Sequence, residues 1–247
     1  MKHFNLMALM ALTLTMGMTL TSCFGSDGKN KTEQSVIALY QNGTLEQYGG
    51  GILVPTNTNY LPSSPGIYTF GIEYDPTTWQ DNKLSVTITT KPIGLDNPNI
   101  RVGSDTEKGN INIYSLDYGG DMPPAMFNQN YLLMPCIYWM DNVAAEDYEK
   151  EEAKHKFSLL VPEDLHNSEG ILNLTLIDEV TDPQVERLKT SWLYQAFNLQ
   201  SVIAGFKSVN GKINTIRIWG YVNRNSYDPE EGRTNKDHVD IDLTVFQ

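Results

Sequence analysis

Apolar and polar residues alternate along most of the chain after its first thirty residues, and this period of two predicts β-strands with one buried face. Asn42-Gly43, between two such segments, predicts a tight hairpin. The three glycines from Gly49 to Gly51 predict a sharp bend of the chain. The alternation is clearest near the end of the chain, where the apolar positions are Val239, Ile241, Leu243 and Val245.

The strand signals form two groups, which predict two β-domains. Roughly five short strands within residues 34–95, together with the glycine-rich bend, fit a small closed or partly open barrel. A polar stretch, residues 96–109, predicts the boundary, and the later strands predict a β-sandwich over residues 105–247. The strand-like segments of this second domain include residues 131–140, 156–161, 171–177, 197–206 and 213–222.

Residues 142–155 interrupt the alternation, because Glu, Asp and Lys are interspersed with alanine there. This composition allows a short exposed helix capped by Asp141 or Asn142, and equally a mobile acidic loop. The acidic residues within 146–152 are expected either to be solvated or to form a docking surface for a basic partner.

The start of the chain has the features of an export signal. Lys2 supplies a positive start, and residues 4–20 are mainly apolar. The residues that follow, Leu20-Thr21-Ser22-Cys23, resemble a bacterial lipobox. An uncleaved membrane helix is the alternative, but the apolar stretch is short for a span and no basic stop-transfer cluster follows it.

The lipobox resemblance implies that residues 1–22 are a signal peptide, cleaved after Ser22, and that Cys23 carries lipid. Residues 23–33 would then be the lipidated cysteine and a flexible tether, since they are rich in Gly, Ser, Asp, Lys and Asn. We therefore expect a palmitate-type anchor in the cell envelope, in the outer membrane of a Gram-negative bacterium. The sequence leaves the periplasmic and surface faces equally open.

The formal net charge is −12. Binding to nucleic acid needs clustered Lys and Arg, so this balance argues against a nucleic-acid partner. It also argues against docking on anionic lipid through a basic patch. The charge is expected to keep the protein from self-association.

The chain has two cysteines, Cys23 and Cys136. If Cys23 is acylated, Cys136 is left alone and no disulfide forms within the chain. Cys136 lies in the apolar run of residues 131–140, which predicts a buried and inert thiol.

The sequence contains no spacing typical of a catalytic site: no nucleophile elbow, no Walker loop, no His-Glu-x-x-His and no paired cysteines. We therefore expect no enzyme activity, no catalytic residues and no cofactor. His155, His166 and His238 stand in polar surroundings and are expected to be solvated or to cap local structure.

His238, Asp240 and Asp242 fall on one face of the last strand, about 7 Å apart in succession. Two carboxylates and an imidazole could bind a divalent cation if loops closed over them. The alternative, which we adopt, is a solvated outer face whose charges keep an edge strand from pairing, without a metal.

Trp219 and Tyr221 alternate with Ile216, Ile218 and Val222. If the aliphatic residues face the core, the two aromatic rings lie together on the outer face. Such rings can stack on sugar rings or anchor a partner protein, or a loop or neighbouring domain can cover them. We take Trp219 and Tyr221 as the candidate binding residues.

Several segments carry a resemblance to a known family, the NigD-like lipoproteins of Gram-negative anaerobes of gut and mouth. The family's barrel has a short Leu-x-Pro strand, a Gly-led strand ending in Tyr and a strand that closes near Pro. The corresponding segments are residues 51–55, 66–74 and 84–92, with further similarity at 156–160, 172–176 and 214–218.

The resemblance implies an all-β chain, with a small OB-like β-barrel followed by an immunoglobulin-like β-sandwich. It also implies a proposed bacteriocin-immunity role and carries over no catalytic residue. We therefore expect a non-enzymatic, lipid-anchored envelope protein that binds a protein or a glycan. The alternative is a structural or accessory lipoprotein of a surface appendage or glycan-uptake complex.

Overall fold

The computed structural model describes residues 31–117, 123–229 and 234–244. The predicted signal peptide, the cleavage site at Ser22 and the lipidated Cys23 lie outside the described residues. Among those residues, no helix is long and apolar enough to cross a membrane. The chain divides into two compact units, Met1–Asp96 and Asn97–Gln247.

The first unit is a closed barrel of five strands. Its strands are joined in the order β1-β2-β3-β5-β4, and β1 pairs with β4 to close the ring. Among these strands β3 and β5 run parallel, and this arrangement is that of an OB-fold. The strands are β1 (Thr32–Gln41), β2 (Thr44–Gln47), β3 (Ile52–Pro55), β4 (Gly66–Tyr74) and β5 (Lys83–Ile88), with β6 (Ile93–Gly94) added beside β4 and a 3₁₀ turn at Pro76–Thr78.

Turns of the predicted kind connect the barrel strands. Asn42 and Gly43 both have positive φ, 52° and 77°, as a two-residue hairpin turn with left-handed residues requires. The glycines from Gly49 to Gly51 also have positive φ and bend the chain between β2 and β3. Alternate strand residues fill the barrel core, namely Val36, Ala38, Leu45, Leu53, Phe70, Ile72, Leu84, Val86 and Ile88.

Within its described residues, the second unit contains nine strands and two α-helices. The helices are α1 (Tyr148–Glu152), preceded by a 3₁₀ turn at Ala145–Asp147, and α2 (Gln200–Asn210). The strands are β7 (Ile100–Val102), β8 (Ile113–Ser115), β9 (Ala125–Met126), β10 (Tyr131–Met140), β11 (His155–Val161), β12 (Ile171–Val180), β13 (Lys189–Asn198), β14 (Thr215–Val222) and β15 (Asn235–Asp242).

These nine strands form one curled sheet in the order β13-β10-β8-β14-β12-β11-β7, with β15 beside β14 and β9 beside β10. The predicted all-β class is confirmed. An immunoglobulin-like sandwich has two antiparallel sheets. In this unit the strands belong to a single sheet, in which β14 runs parallel to β12 and β7 runs parallel to β11. Alternation along each strand does not show which strands become neighbours.

Two segments differ from the sequence expectation. Residues 197–206 were predicted as a strand, but β13 ends at Asn198 and α2 begins at Gln200; Ile203 and Phe206 of this helix are buried. The polar stretch 96–109, predicted as a boundary, includes the division between the two units after Asp96, but it also contains β7, which pairs with β11. The strand is only three residues long, too short for its alternation to stand out.

The core of the second unit lies on one face of the curled sheet. Even-numbered residues of β10 point into it, as do alternate residues of β11, β12 and β14. Cys136 is among them and is fully buried, as predicted; burial raises the pKa of its thiol well above the ordinary value. The β10 residues of this core are Leu132, Met134, Cys136, Tyr138 and Met140.

Candidate functional site

The outer face of β14 and β15 brings the two predicted binding residues together. Ile216, Ile218 and Val222 face the core, so Trp219 and Tyr221 lie on the opposite face. We define the aromatic row as the three cross-strand pairs of this face, namely Arg217 with Asp240, Trp219 with His238, and Tyr221 with Lys236.

Hydrogen bonds hold both rings of the aromatic row. The indole Nε1 of Trp219 donates to Oδ1 of Asn173 on β12, at 3.0 Å. The hydroxyl of Tyr221 donates to the backbone carbonyl of Asp105, at 3.2 Å, in the loop between β7 and β8. The His238 ring lies against Trp219, with 4.5 Å between ring centroids. Both aromatic side chains are half-buried, so the strand and the loop cover them in part and leave the rest to solvent.

Three cations lie over these rings. The ammonium of Lys236 is 5.3 Å from the centroid of Trp219 and 5.9 Å from that of Tyr221. Lys108 lies 5.2 Å from Tyr221, and the guanidinium of Arg217 lies 5.7 Å from Trp219. At these distances the negative face of each ring attracts the charge. The ring faces therefore attract groups that carry a full or partial positive charge.

Two of the three cations beside the rings, Arg217 and Lys236, are paired with carboxylates. Nε and Nη2 of Arg217 donate to the two carboxylate oxygens of Asp240, each at 2.7 Å. These hydrogen bonds lower the pKa of Asp240. Lys236 pairs with Asp105 at 3.0 Å. Within these two pairs the formal charges balance, and each pair presents both donors and acceptors.

The residues considered for a cation are not arranged as a ligand set. Asp240 is held by Arg217, His238 lies against Trp219, and Asp242 accepts the backbone N–H of Thr244. Within the described part of the chain, no group of three or more His, Cys, Asp or Glu side chains could hold a metal. Among the described strands β15 pairs with β14 alone, and its outward charges lie at this edge of the sheet.

A buried pair of ionisable residues lies elsewhere in the second unit. The prediction for His155 is wrong: its side chain is fully buried, and its Nδ1 lies 2.8 Å from Oδ2 of Asp178, which is also fully buried. The rings of Tyr138 and Phe157 pack on His155 at centroid distances of 4.3 and 6.0 Å. His166 and His238 are exposed, as expected.

The same region contains a buried arginine. Nε of Arg187 donates to Oε1 of Glu151 at 3.1 Å, although both side chains are at most 1% exposed. Arg187 also donates to the carbonyl of Val185 and pairs with Asp182. Lys154 bridges Glu151 and Asp182, at 2.8 and 2.9 Å. We call this set the charge cluster; it consists of Glu151, Lys154, His155, Asp178, Asp182 and Arg187.

The charge cluster changes the interpretation of the acidic segment. Its residues form a helix, one of the two predicted alternatives, but Asp141 and Asn142 do not cap it, because the 3₁₀ turn begins after Ala144. Glu151 points inward and accepts the backbone N–H of Asp141. The segment is therefore anchored to the fold by a buried carboxylate.

The charge cluster is better suited to holding loops than to catalysis. His155 Nε2 and Asp178 Oδ1 have no hydrogen-bond partner among the described residues, yet neither side chain reaches solvent, so a dissolved substrate cannot approach them. Sequence reasoning missed the cluster because its members are far apart along the chain. The Glu151, Lys154 and His155 spacing, three and four residues, is the one local signal for it.

No protein-family model matches this sequence, and no curated protein matches it. Among solved structures, a "Putative lipoprotein" from Bacteroides fragilis aligns with a TM-score of 0.74 and 24% identity, covering 85% of this chain and 98% of that chain. A protein of unknown function from Bacteroides vulgatus aligns with a TM-score of 0.53 and 13% identity, covering 87% and 92%.

A NigD-like immunity protein from Bacteroides caccae also aligns, with a TM-score of 0.49 and 14% identity, covering 87% of this chain and 94% of that chain. The likeness to the structures from Bacteroides fragilis and Bacteroides vulgatus establishes the fold alone.

Proposed function

We propose that this chain is a non-enzymatic, lipid-anchored binding protein of the bacterial cell envelope, and that the aromatic row is its binding face. The lipobox at residues 20–23 supports the anchor, on Cys23 and in the outer membrane. The solved structure from Bacteroides fragilis, which has the same fold, is described as a lipoprotein and supports it further.

The observation that carries the binding function is the position of Trp219 and Tyr221. Two large aromatic side chains share one outer face, and hydrogen bonds to Asn173 and Asp105 fix both of them before any ligand arrives. Because their rotamers are already restricted, a ligand that contacts them has less ordering entropy to overcome. Such pre-ordered aromatic groups are typical of binding sites.

The anchor is tested with the full chain expressed in a Gram-negative host supplied with labelled palmitate. We expect the label on the wild-type protein, which should fractionate with the outer membrane. Cys23→Ala should lose the label and be absent from the outer-membrane fraction. If Cys23→Ala keeps both the label and the outer-membrane location, the proposed anchor is refuted.

The binding face is tested with protein lacking residues 1–23, offered purified envelope glycans, peptidoglycan fragments and bacteriocin-type proteins in separate titrations. We expect a ligand in this panel whose binding weakens at least tenfold in Trp219→Ala. Trp192→Ala is the matched control, because Trp192 is 50% exposed on another strand. If no ligand binds, or if Trp219→Ala binds as the wild type does, the aromatic row is not the binding face.

A further inference from the structure

We infer that the ligand of the aromatic row is an uncharged glycan chain lying along β14, an inference that rests on the proposed binding function of this face. The row offers two things that such a chain needs together: ring faces for its C–H groups and polar groups beside them for its hydroxyls. Shape, charge balance and the small apolar area each favour a glycan.

The shape of the row is linear. Trp219 and Tyr221 are two residues apart on one strand, so their positions are separated by about 7 Å, and the distance from Arg217 to Tyr221 along β14 is about 13 Å. A line of this kind on an open sheet face suits an extended chain of repeating rings better than a compact molecule. The C–H hydrogens on the face of a sugar ring are weakly positive and are attracted by an aromatic π face.

The present contacts of the rings indicate the same preference. The ammonium of Lys236 lies over both rings, and that of Lys108 lies over Tyr221. Both lysines are exposed residues on flexible stems. Their ammonium groups can move aside for a sugar ring, and they then remain beside it as hydrogen-bond donors to its hydroxyls.

The two ion pairs of the row argue against an ionic ligand. Arg217 and Asp240 satisfy each other with two hydrogen bonds, and Lys236 is paired with Asp105. Sugar hydroxyls both donate and accept, so they can add to such pairs without breaking them. An acidic or a basic ligand would have to compete with the ion pair that is already formed.

The apolar area argues against a protein ligand. A standard protein interface covers roughly 800 Å² per partner and has an apolar centre. Within the described residues, none of the large hydrophobic side chains that are strongly exposed lies on β14 or β15; they are Val54, Tyr60, Ile93, Val102, Tyr148, Leu188, Trp192 and Val209. The apolar surface of this face is therefore confined to the exposed parts of two rings.

The test uses the protein lacking residues 1–23 on an array of neutral and acidic glycans, followed by calorimetry with the oligosaccharides that bind. We expect neutral oligosaccharides to bind, with little change between 0.1 and about 0.5 M salt, where ionic contacts weaken. Trp219→Ala and Tyr221→Ala should each weaken binding at least tenfold, Trp219→Phe should weaken it less, and Trp192→Ala should have no effect.

Nuclear magnetic resonance provides a second measurement, which does not depend on the alanine variants. The chain has four tryptophans, hence four indole N–H signals, and Trp219→Phe identifies the one from Trp219. A bound oligosaccharide should shift the Trp219 signal and leave the Trp192 signal in place. An unmoved Trp219 signal at saturation would overturn the inference.

The remaining outcomes separate this inference from the proposed function. Trp219-dependent binding to a bacteriocin-type protein alone would overturn the glycan inference and leave the binding face intact. Binding to acidic glycans alone, abolished by salt, would overturn the uncharged ligand in the same way. If no ligand binds in a way that depends on Trp219, both the glycan inference and the proposed binding face are overturned.

Discussion

Nδ1 of His155 lies 2.8 Å from Oδ2 of Asp178, and both side chains are completely buried. The two residues are on β11 and β12, so the contact ties two adjacent strands together beneath the surface. Burial raises the pKa of Asp178, and the hydrogen bond with His155 opposes that rise. Burial of the pair therefore costs free energy, and the hydrogen bond between the two residues offsets part of that cost.

Removal of one partner should destabilise the protein strongly. We expect Asp178→Ala to lower the free energy of unfolding by about 3–5 kcal/mol, because the buried His155 ring would lose its partner. Urea unfolding followed by circular dichroism measures the change. His166→Ala is the control: His166 is exposed, and its loss should change stability by less than about 0.5 kcal/mol. Similar stabilities for the two variants would contradict the role assigned to the pair.

Glu151 should make stability depend on pH. Burial raises its pKa, but hydrogen bonds from Lys154 and from the Asp141 backbone, with the charge of Arg187, outweigh burial and lower it. In an unfolded chain the pKa of Glu is about 4.3. The stabilising contribution of the Glu151 carboxylate is therefore complete above that pH and is lost as the pH falls through the folded pKa.

Glu151→Gln tests this dependence. The variant should be less stable than the wild type at pH 7, because Arg187 and Lys154 lose a charged partner. The difference in unfolding free energy should narrow as the pH falls below about 4.3. Urea titrations at a series of pH values measure the difference, and a constant difference across the series would refute the assignment.

Gly51 and Gly50 form a matched pair in the barrel. Both have left-handed φ, 97° and 102°, but a Cβ on Gly51 would lie 2.6 Å from the Trp79 ring, whereas a Cβ on Gly50 would have no atom within 4 Å. We expect Gly50→Ala to cost about 1 kcal/mol of backbone strain. Gly51→Ala should cost about 2–4 kcal/mol, because the ring must also shift. Thermal unfolding compares the two, and equal losses would show that Trp79 moves freely.

The thiol of Cys136 should be unreactive in the folded protein. Cys136 is fully buried, and its pKa is raised well above the ordinary value, so little thiolate is present or accessible. Protein lacking residues 1–23 contains this cysteine alone. We expect Ellman's reagent to detect it in denaturant and to miss it in the native state.

An added surface cysteine provides the control for this measurement. Ser168→Cys, at an exposed position, should react at once in the native protein. Prompt reaction of native Cys136 would show that the second unit opens readily.

Much of the fold follows from features that are local in the sequence. The hairpin at Asn42-Gly43 needs two left-handed residues in succession, and these two residue types tolerate that conformation. The common face of Trp219 and Tyr221 follows from the alternation along one strand, whatever that strand's neighbours are. The residues of helix α2 were predicted as a strand because several of them are apolar and β-branched. Their apolar positions do not alternate with a period of two, and this is the local feature that distinguishes the helix from a strand.

The amino-acid sequence by itself determined the all-β class, the strand periodicity, the turns and which side of β14 carries the aromatic rings, because each of these depends on residues close together in the chain. Only the tertiary structure decided that β1 closes on β4, that β14 lies between β12 and β15, and that Asp178 and Arg187 are buried. Strand neighbours and charge burial depend on contacts between residues far apart in the chain, and such contacts leave no local pattern.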